Sequence, residues 1–342
     1  MTEPILECIP NFSEGRDEQK INAIAEAIRS VDGAALLHID ASPAANRTVM
    51  TFAGSPEAVV EAAYRAIACA AELIDMTQQG GIHPRIGATD VCPLVPLYNM
   101  TINDAIDCST KLSQKIGNQL NIPIYLYEHS ASQHHRKALP SIRKGQYEGF
   151  AEKIKMPDWA PDFGPKDFNP KTGATIIGAR DILVAFNISI DTQDAQKADR
   201  IAKRLRTSGT TEITENQSVK IPGLLPRTRA IGWYTSDFDC AQVSMNLLDY
   251  RVTSPLQAWE TCKAIALEEG VQLIGSELIG LMPESCLLEA GTFSYLKQEQ
   301  DIPADKALLV LAGIEYLKLN QVKPFHPQEK ILEYALHHAG LI

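Results

Sequence analysis

The chain has 342 residues, of which 45% are hydrophobic and 22% charged. That balance excludes a mainly disordered chain, a collagen-like fibre and a coiled coil, and at ~100–200 residues per domain it predicts two domains. With 42 acidic against 32 basic residues the net charge is −10, so the global field repels nucleic acid, and an anionic substrate must meet local Arg, Lys or backbone N–H groups in a pocket.

In chain order, residues 6–12 read as a strand. Residues 17–31 read as a helix, because Ile21, Ile24, Ala25 and Ile28 share one face and Asp17 can cap its start. Residues 35–40 and 48–54 read as strands joined by a polar turn. Ser55 and Pro56 open a long helix that runs to about residue 76. After the Gly80-Gly81 break come a strand at 89–97, a helix at 103–120 and a strand at 122–128. The second half opens on a buried strand, 182–190, followed by a helix at 191–206. The polar stretch 207–227 reads as an exposed loop. Strands at 230–235 and 242–248 follow, then a helix at 255–269 capped by Ser254, a strand at 271–275, and helices at 286–299, 305–319 and 328–338.

Both halves thus run strand, helix, strand, strand, helix, strand. The expected fold class is α/β (α+β), with two ferredoxin-like βαββαβ-type subdomains and a ligand cleft between them. The Gly/Pro-rich stretch 162–180 marks the boundary. The expected domains are 1–179 and 180–326, with a helical tail at 327–342.

Several classes are excluded. No apolar stretch reaches the ~20 residues of a bilayer-spanning helix, and Met1-Thr2-Glu3-Pro4 does not begin a signal peptide. Seven cysteines form no C-x-x-C pair, which points to reduced thiols in a cytoplasmic protein rather than a disulfide framework or a zinc ribbon. The paired histidines His134-His135 and His337-His338 read as solvated, and no metal cluster is expected. The chain lacks a P-loop, a G-x-G-x-x-G fingerprint and a G-x-S-x-G elbow.

Three segments carry candidate chemistry. In the loop Gly80-Gly-Ile-His83-Pro-Arg85-Ile-Gly-Ala-Thr-Asp90, His83 suits acid–base work at neutral pH; the ordinary alternative is a loop histidine bonded to backbone. The stretch Gly164, Pro165, Lys166, Asp167, Phe168, Asn169, Pro170, Lys171, Thr172 and Gly173 can pass backbone groups around a planar heterocycle, or can simply link domains. The turn after Asp40 carries Arg47, able to hold a carboxylate bidentately or to stay solvated.

The sequence resembles the formiminotransferase family. The resemblance rests on Glu7-Cys-Ile-Pro-Asn-Phe-Ser-Glu-Gly15, Asn46-Arg47-Thr48, His83-Pro-Arg85-Ile-Gly-Ala-Thr-Asp90-Val-Cys-Pro93, Asp158-Trp-Ala-Pro-Asp-Phe-Gly-Pro165 and Gly173-Ala-Thr-Ile-Ile-Gly-Ala-Arg180. It continues through Ala185-Phe-Asn-Ile188, Ile231-Gly-Trp233 and Gln242-Val-Ser-Met-Asn-Leu-Leu-Asp249. It implies transfer of a formimino group from N-formimidoyl-L-glutamate to N5 of tetrahydrofolate, in histidine breakdown, by a homodimer with no metal. It also implies that His83 is the general acid/base, and that the Gly164–Gly173 loop contacts folate. Asp40, Arg47, Arg85 and Arg180 are the expected substrate contacts. The alternatives are a folate-binding protein of the same fold without transferase activity, and a transferase using a formyl donor. The 60 or so residues that follow the second α/β unit are too few for a separate cyclodeaminase domain, so transfer without ammonia release is the expectation.

Overall fold

The computed structural model describes residues 3–214 and 217–342. Met1 and Thr2, the start of the segment read as leaderless, lie outside the described residues, as do two residues of the stretch 207–227. The chain divides into two compact units, the first running to Asp181 and including Ala339–Ile342, the second spanning Ile182–His338.

In the first unit the elements are β1 (Ile5–Cys8), β2 (Asn11–Phe12), α1 (Glu18–Arg29), β3 (Ala34–Ser42), β4 (Arg47–Gly54), α2 (Pro56–Leu73), β5 (Thr89–Tyr98), α3 (Ile102–Gln119), β6 (Ile124–Leu126), α4 (Leu139–Arg143), α5 (Gln146–Lys153) and β7 (Thr175–Ala179). The predicted strand 6–12 is broken into β1 and β2. Pro10 sits at the break, where it has no N–H to give the ladder, and its carbonyl still takes the Met50 N–H at 3.1 Å. Both halves lie between β4 and β5, antiparallel to each, and β3 pairs with β4. The order β3-β4-β1/β2-β5 is the ferredoxin-like arrangement expected from the sequence.

The sheet then continues beyond that expectation. β7 adds parallel to β5, and β6 adds parallel to β7. Residues 175–179 lie within the stretch read as a loop and boundary. The five residues of β7, Thr175–Ala179, give too short a run for periodicity to identify a strand. On one face of the sheet Leu6, Cys8, Phe12, Met50, Phe52, Cys92 and Leu94 pack on buried residues of α1, α2 and α3. On the other, Val91, Tyr125 and Ile176 pack with Ile142 and Phe150 from α4 and α5.

The second unit comprises β8 (Val184–Ile190), α6 (Ala195–Leu205), β9 (Thr210–Thr214), β10 (Gln217–Ile221), β11 (Thr228–Thr235), β12 (Cys240–Leu247), α7 (Pro255–Glu268), β13 (Leu273–Ile279), α8 (Glu284–Lys297), α9 (Lys306–Tyr316), α10 (Pro327–Lys330) and α11 (Leu332–His338). Its sheet runs β11-β12-β8-β13, all antiparallel, again the ferredoxin-like order. Val184, Phe186, Ile188 and Ile190 face a core shared with α6, α7, α8 and α9. The predicted loop 207–227 is instead in part an antiparallel hairpin, β9 with β10. Its Thr-rich, polar composition gave no apolar alternation to read, although β-branched residues favour strands. The segment set apart as a tail contributes Ile331 to the same core, and its predicted helix 328–338 is interrupted at that residue, which bridges to Met282.

Candidate functional site

Three motifs far apart in sequence converge in the first unit. The turn before β4 holds Asn46 at positive φ. Its side-chain amide receives the Gly15 N–H at 3.0 Å and donates to the Gly80 carbonyl at 3.1 Å. Gln79 in turn donates to the Asn46 carbonyl at 3.1 Å. The 11–16 segment, the 46–48 turn and the glycine loop are thereby tied together, and the loop delivers His83 and Asp90 to the start of β5.

Asp90 is fully buried and lies between two guanidinium groups. Arg47 donates to it from Nη1 at 2.8 Å. Arg143, on α4, donates from Nη2, with its Nε at 3.4 Å from the other carboxylate oxygen. The Ile86 N–H donates at 3.0 Å. Burial pushes the Asp90 carboxyl up, but Arg143 and Arg47 outweigh it and hold it below the ordinary range. Arg47 also donates from Nε to Asn11 Oδ1 at 3.1 Å, and burial lowers its pKa to about 10. Two cations face one anion here, so the cluster keeps a net positive charge on a chain of net charge −10.

His83 is half-buried. Its Nδ1 lies 2.8 Å from the Pro84 carbonyl. A carbonyl only accepts, so Nδ1 carries the proton and Nε2 the basic lone pair. Burial, then the charges of Arg47 and Arg143, hold the imidazole well below the usual histidine range; Asp90 opposes them. His83 is therefore a neutral base at pH 7. The arrangement can accept a proton at Nε2 and bind an anionic group beside it.

The other sequence-predicted residues are placed differently. Arg85 is buried, and both its Nη atoms engage Glu148 of α5, at 2.7 and 3.0 Å, while Nε donates to Gln79 at 2.7 Å. That geometry anchors α5 to the glycine loop. Asp40, on β3, is buried and lies 3.0 Å from His38 Nε2. Arg180 is buried just past β7 and donates to the Asp181 carbonyl at 2.8 Å.

In the predicted folate loop, Lys166 and Asp167 are exposed whereas Thr172 and Gly173 are buried against the glycine loop. The Ala88 N–H donates to the Thr172 carbonyl at 2.8 Å, and Ala174 N–H to the Ile86 carbonyl at 3.1 Å. Gly164 and Gly173 both have positive φ, and a Cβ on Gly173 would fall 2.2 Å from the Ile86 carbonyl oxygen. The close approach these glycines permit is to the protein's own backbone.

Arg143 escaped the sequence reading. It lies on a five-residue helix in a stretch without motif or periodicity, and only the fold brings it to Asp90. In the second unit the matched motifs alternate along their strands, with Phe186, Ile188, Val243 and Met245 in the helix-side core and the polar Asn187, Trp233 and Gln242 on the opposite face. Trp233 Nε1 donates to Gln242 Oε1 at 3.2 Å, Gln242 Nε2 to Ser189 Oγ at 3.1 Å, and Asn187 Nδ2 to Glu277 at 3.3 Å. Among the described residues no group of His, Cys, Asp and Glu is arranged to hold a metal, and no helix is long and apolar enough to cross a membrane.

Comparison with known proteins follows the same division. Residues 5–180 match "Formiminotransferase domain, N-terminal subdomain", and residues 185–337 match "Formiminotransferase domain". The chain is 41% identical over 336 residues to "Formimidoyltransferase-cyclodeaminase" of Rattus norvegicus, covering 98% of this chain and 60% of the length of that relative. It is 40% identical over 305 residues to "Glutamate formimidoyltransferase" of Streptococcus pyogenes serotype M1, covering 89% of this chain and 97% of the relative. A relative of the same name from Thermoplasma acidophilum is 38% identical over 295 residues, 86% and 92% of the two chains. Matched in both of its units, and aligned to these relatives along most of its length, the chain belongs to the formiminotransferase family.

Proposed function

We propose that the chain transfers the formimino group of N-formimidoyl-L-glutamate to N5 of tetrahydrofolate, with His83 as the general acid and base. The names of the relatives support a formimidoyl transfer. The observation that carries the residue assignment is the neutral His83, its Nδ1–H on the Pro84 carbonyl, next to the Arg47–Asp90–Arg143 cluster.

Tetrahydrofolate supplies the amine nucleophile when bound. The chain's part is proton handling and binding. His83 Nε2 takes the proton that N5 sheds, and the imidazolium so formed returns one to the departing glutamate nitrogen. Asp90, fixed by two guanidiniums, offsets the positive charge that then arises on the ring. The net positive charge of Arg47 and Arg143 over Asp90 suits a donor carboxylate. Arg180 is kept as a ligand contact. Asp40 is kept as the carboxylate for the amidinium, and the 164–173 loop as the folate rim, with Arg85 holding that rim's support in place. A cytoplasmic homodimer completes the reading.

Turnover with formimidoyl- and formylglutamate, each with tetrahydrofolate, tests the reading. Release of glutamate from the formimidoyl donor is the expected result. Turnover of the formyl donor alone would replace the substrate, and folate binding without turnover would reduce the protein to a binding module.

A further inference from the structure

Glu7 sits mid-strand in the interior of the first unit's sheet, paired through Ala53 of β4 on one side and Val95 of β5 on the other. Its neighbours Leu6 and Cys8 point into the helix-side core. By strand alternation Glu7 points to the opposite face. It is 3% exposed. Among the described residues its carboxyl makes no hydrogen bond and no ion pair within 4 Å. Buried carboxyls are ordinarily bonded, because desolvation without a partner is costly. Burial accordingly pushes Glu7 up to about 7, and the charge of Arg180 opposes this.

Arg180 is the second half of the observation. It too is buried, 8% exposed, and among the described residues the one hydrogen bond of its side chain goes to the neighbouring Asp181 carbonyl. Glu7 lies opposite Val95 of β5, and the Arg180 N–H donates to the Leu94 carbonyl of that same strand, so a carboxyl and a donor-only guanidinium flank one point of β5 without an ion pair between them. Glu7 and Asn11 are four residues apart on one strand line, so no more than about 14 Å separates their Cα atoms. Asn11 in turn holds Arg47. A small molecule at Glu7 therefore comes within reach of the proposed reaction centre.

We infer that Glu7 and Arg180 form a binding subsite that reads a pair of N–H groups on one carbon, with an oxygen acceptor beside them. The inference rests on the proposed transfer. Two partners of that reaction present such a pair: the 2-amino, N3–H edge of the pterin, with its 4-oxo group next in line for Arg180, and the amidinium of the formimino donor, with a carboxylate for Arg180. Glu7 is a specificity residue in this assignment, reading the bound edge while His83 moves the proton.

Binding of 5-formyltetrahydrofolate and of N-formimidoyl-L-glutamate, each alone, to the wild-type chain and to Glu7→Gln separates the sources. Gln offers one acceptor and one donor where two acceptors are needed, and a site built for such a pair discriminates strongly. At least a tenfold weaker Kd in the pteridine arm assigns the subsite to folate; the same loss in the donor arm assigns it to the formimino group. Calorimetry on the wild-type chain in buffers of different ionisation enthalpy gives a second reading that needs no variant. Near pH 7 a half-protonated Glu7 must ionise to accept two N–H groups, so about half a proton is released per ligand bound. Glu7→Gln binding both ligands within twofold of wild type, or no proton release with either ligand, overturns the inference. A wild-type chain that binds neither ligand overturns the proposed transfer as well.

Discussion

The two units share one strand order and diverge in what they place on it. The first carries its candidate chemistry in titratable groups: Asp90 between Arg47 and Arg143, His83 beside them, and Glu7 within the field of Arg180. The second carries neutral amides and hydroxyls, Trp233 to Gln242 to Ser189, with Glu277 as the one acid bonded in the chain of contacts at Asn187. Each sheet buries one face under helices, and in the first unit α4 and α5 also cover part of the other. What differs is the residue set on that second face. Under the proposed function, proton transfer and charge recognition fall to the first unit, and neutral hydrogen-bond recognition to the second.

Removing the base breaks that division most directly. His83→Ala is expected to lower kcat by about 10²–10⁴-fold with ligand affinity nearly unchanged, as measured by steady-state rates and calorimetry. A variant within a few-fold of wild type would take catalysis out of the first unit's glycine loop. The acidic limb of kcat, which reports the complex in which Glu7 already holds its ligand, tests the electrostatics. Because Arg143 helps to hold His83 below the usual histidine range, the wild-type limb falls below pH 6.5. Arg143→Gln removes one of the opposing charges and should move it to higher pH. An unmoved limb would detach Arg143 from the titration.

Stability should report Glu7 with the opposite sign to function. Its folded pKa, about 7, lies above the unfolded carboxyl value. A raised pKa means stability that is fully present below the unfolded value and is lost as pH rises through the folded one. From about 4.5 to about 7, that loss is on the order of 3 kcal/mol above pH 7. The Glu7→Gln protein does not undergo it. Its melting temperature without ligand should exceed that of wild type at pH 8 and lose the advantage at pH 5. Equal melting curves at pH 8 would show that the carboxyl is solvated.

The sequence's legible part was the repeating pattern. Periodicity placed α1, whose apolar residues share one face, and the capping residues Asp17, Ser55 and Ser254 marked the starts of α1, α2 and α7. It could not place β7, whose five residues are buried on both sides, nor the polar hairpin β9–β10. At the site, His83 stood out by type and loop context. Arg85 did too, yet its guanidinium bonds Glu148, a residue whose relevance appears only once α5 packs on the glycine loop. Gly173 illustrates the same limit. Its positive φ was legible as freedom, but the nearby Ile86 carbonyl that requires it was not. Gly173→Ala should therefore cost about 1–3 kcal/mol of stability, read as a lower denaturation midpoint. Unchanged stability with weaker folate binding would return the glycine to the ligand.

The smallest expected effect falls on the second unit, and its form matters more than its size. Gln242 is 2% exposed and joins Trp233 to Ser189. Its amide both accepts and donates, so no aliphatic side chain can replace it. Gln242→Leu leaves the indole N–H and the serine hydroxyl without those partners, a loss of about 1–3 kcal/mol. Gln242 does not titrate, and neither do its two partners. The variant should therefore raise KM by up to about tenfold through a loosened polar face, while the pH dependence of kcat keeps the wild-type shape. Combined with His83→Ala, the free-energy losses should add, as they do for residues without shared partners. A pH profile displaced by Gln242→Leu, or a marked departure from additivity, would mean that the second unit takes part in proton transfer and that the two sheets do not divide the work.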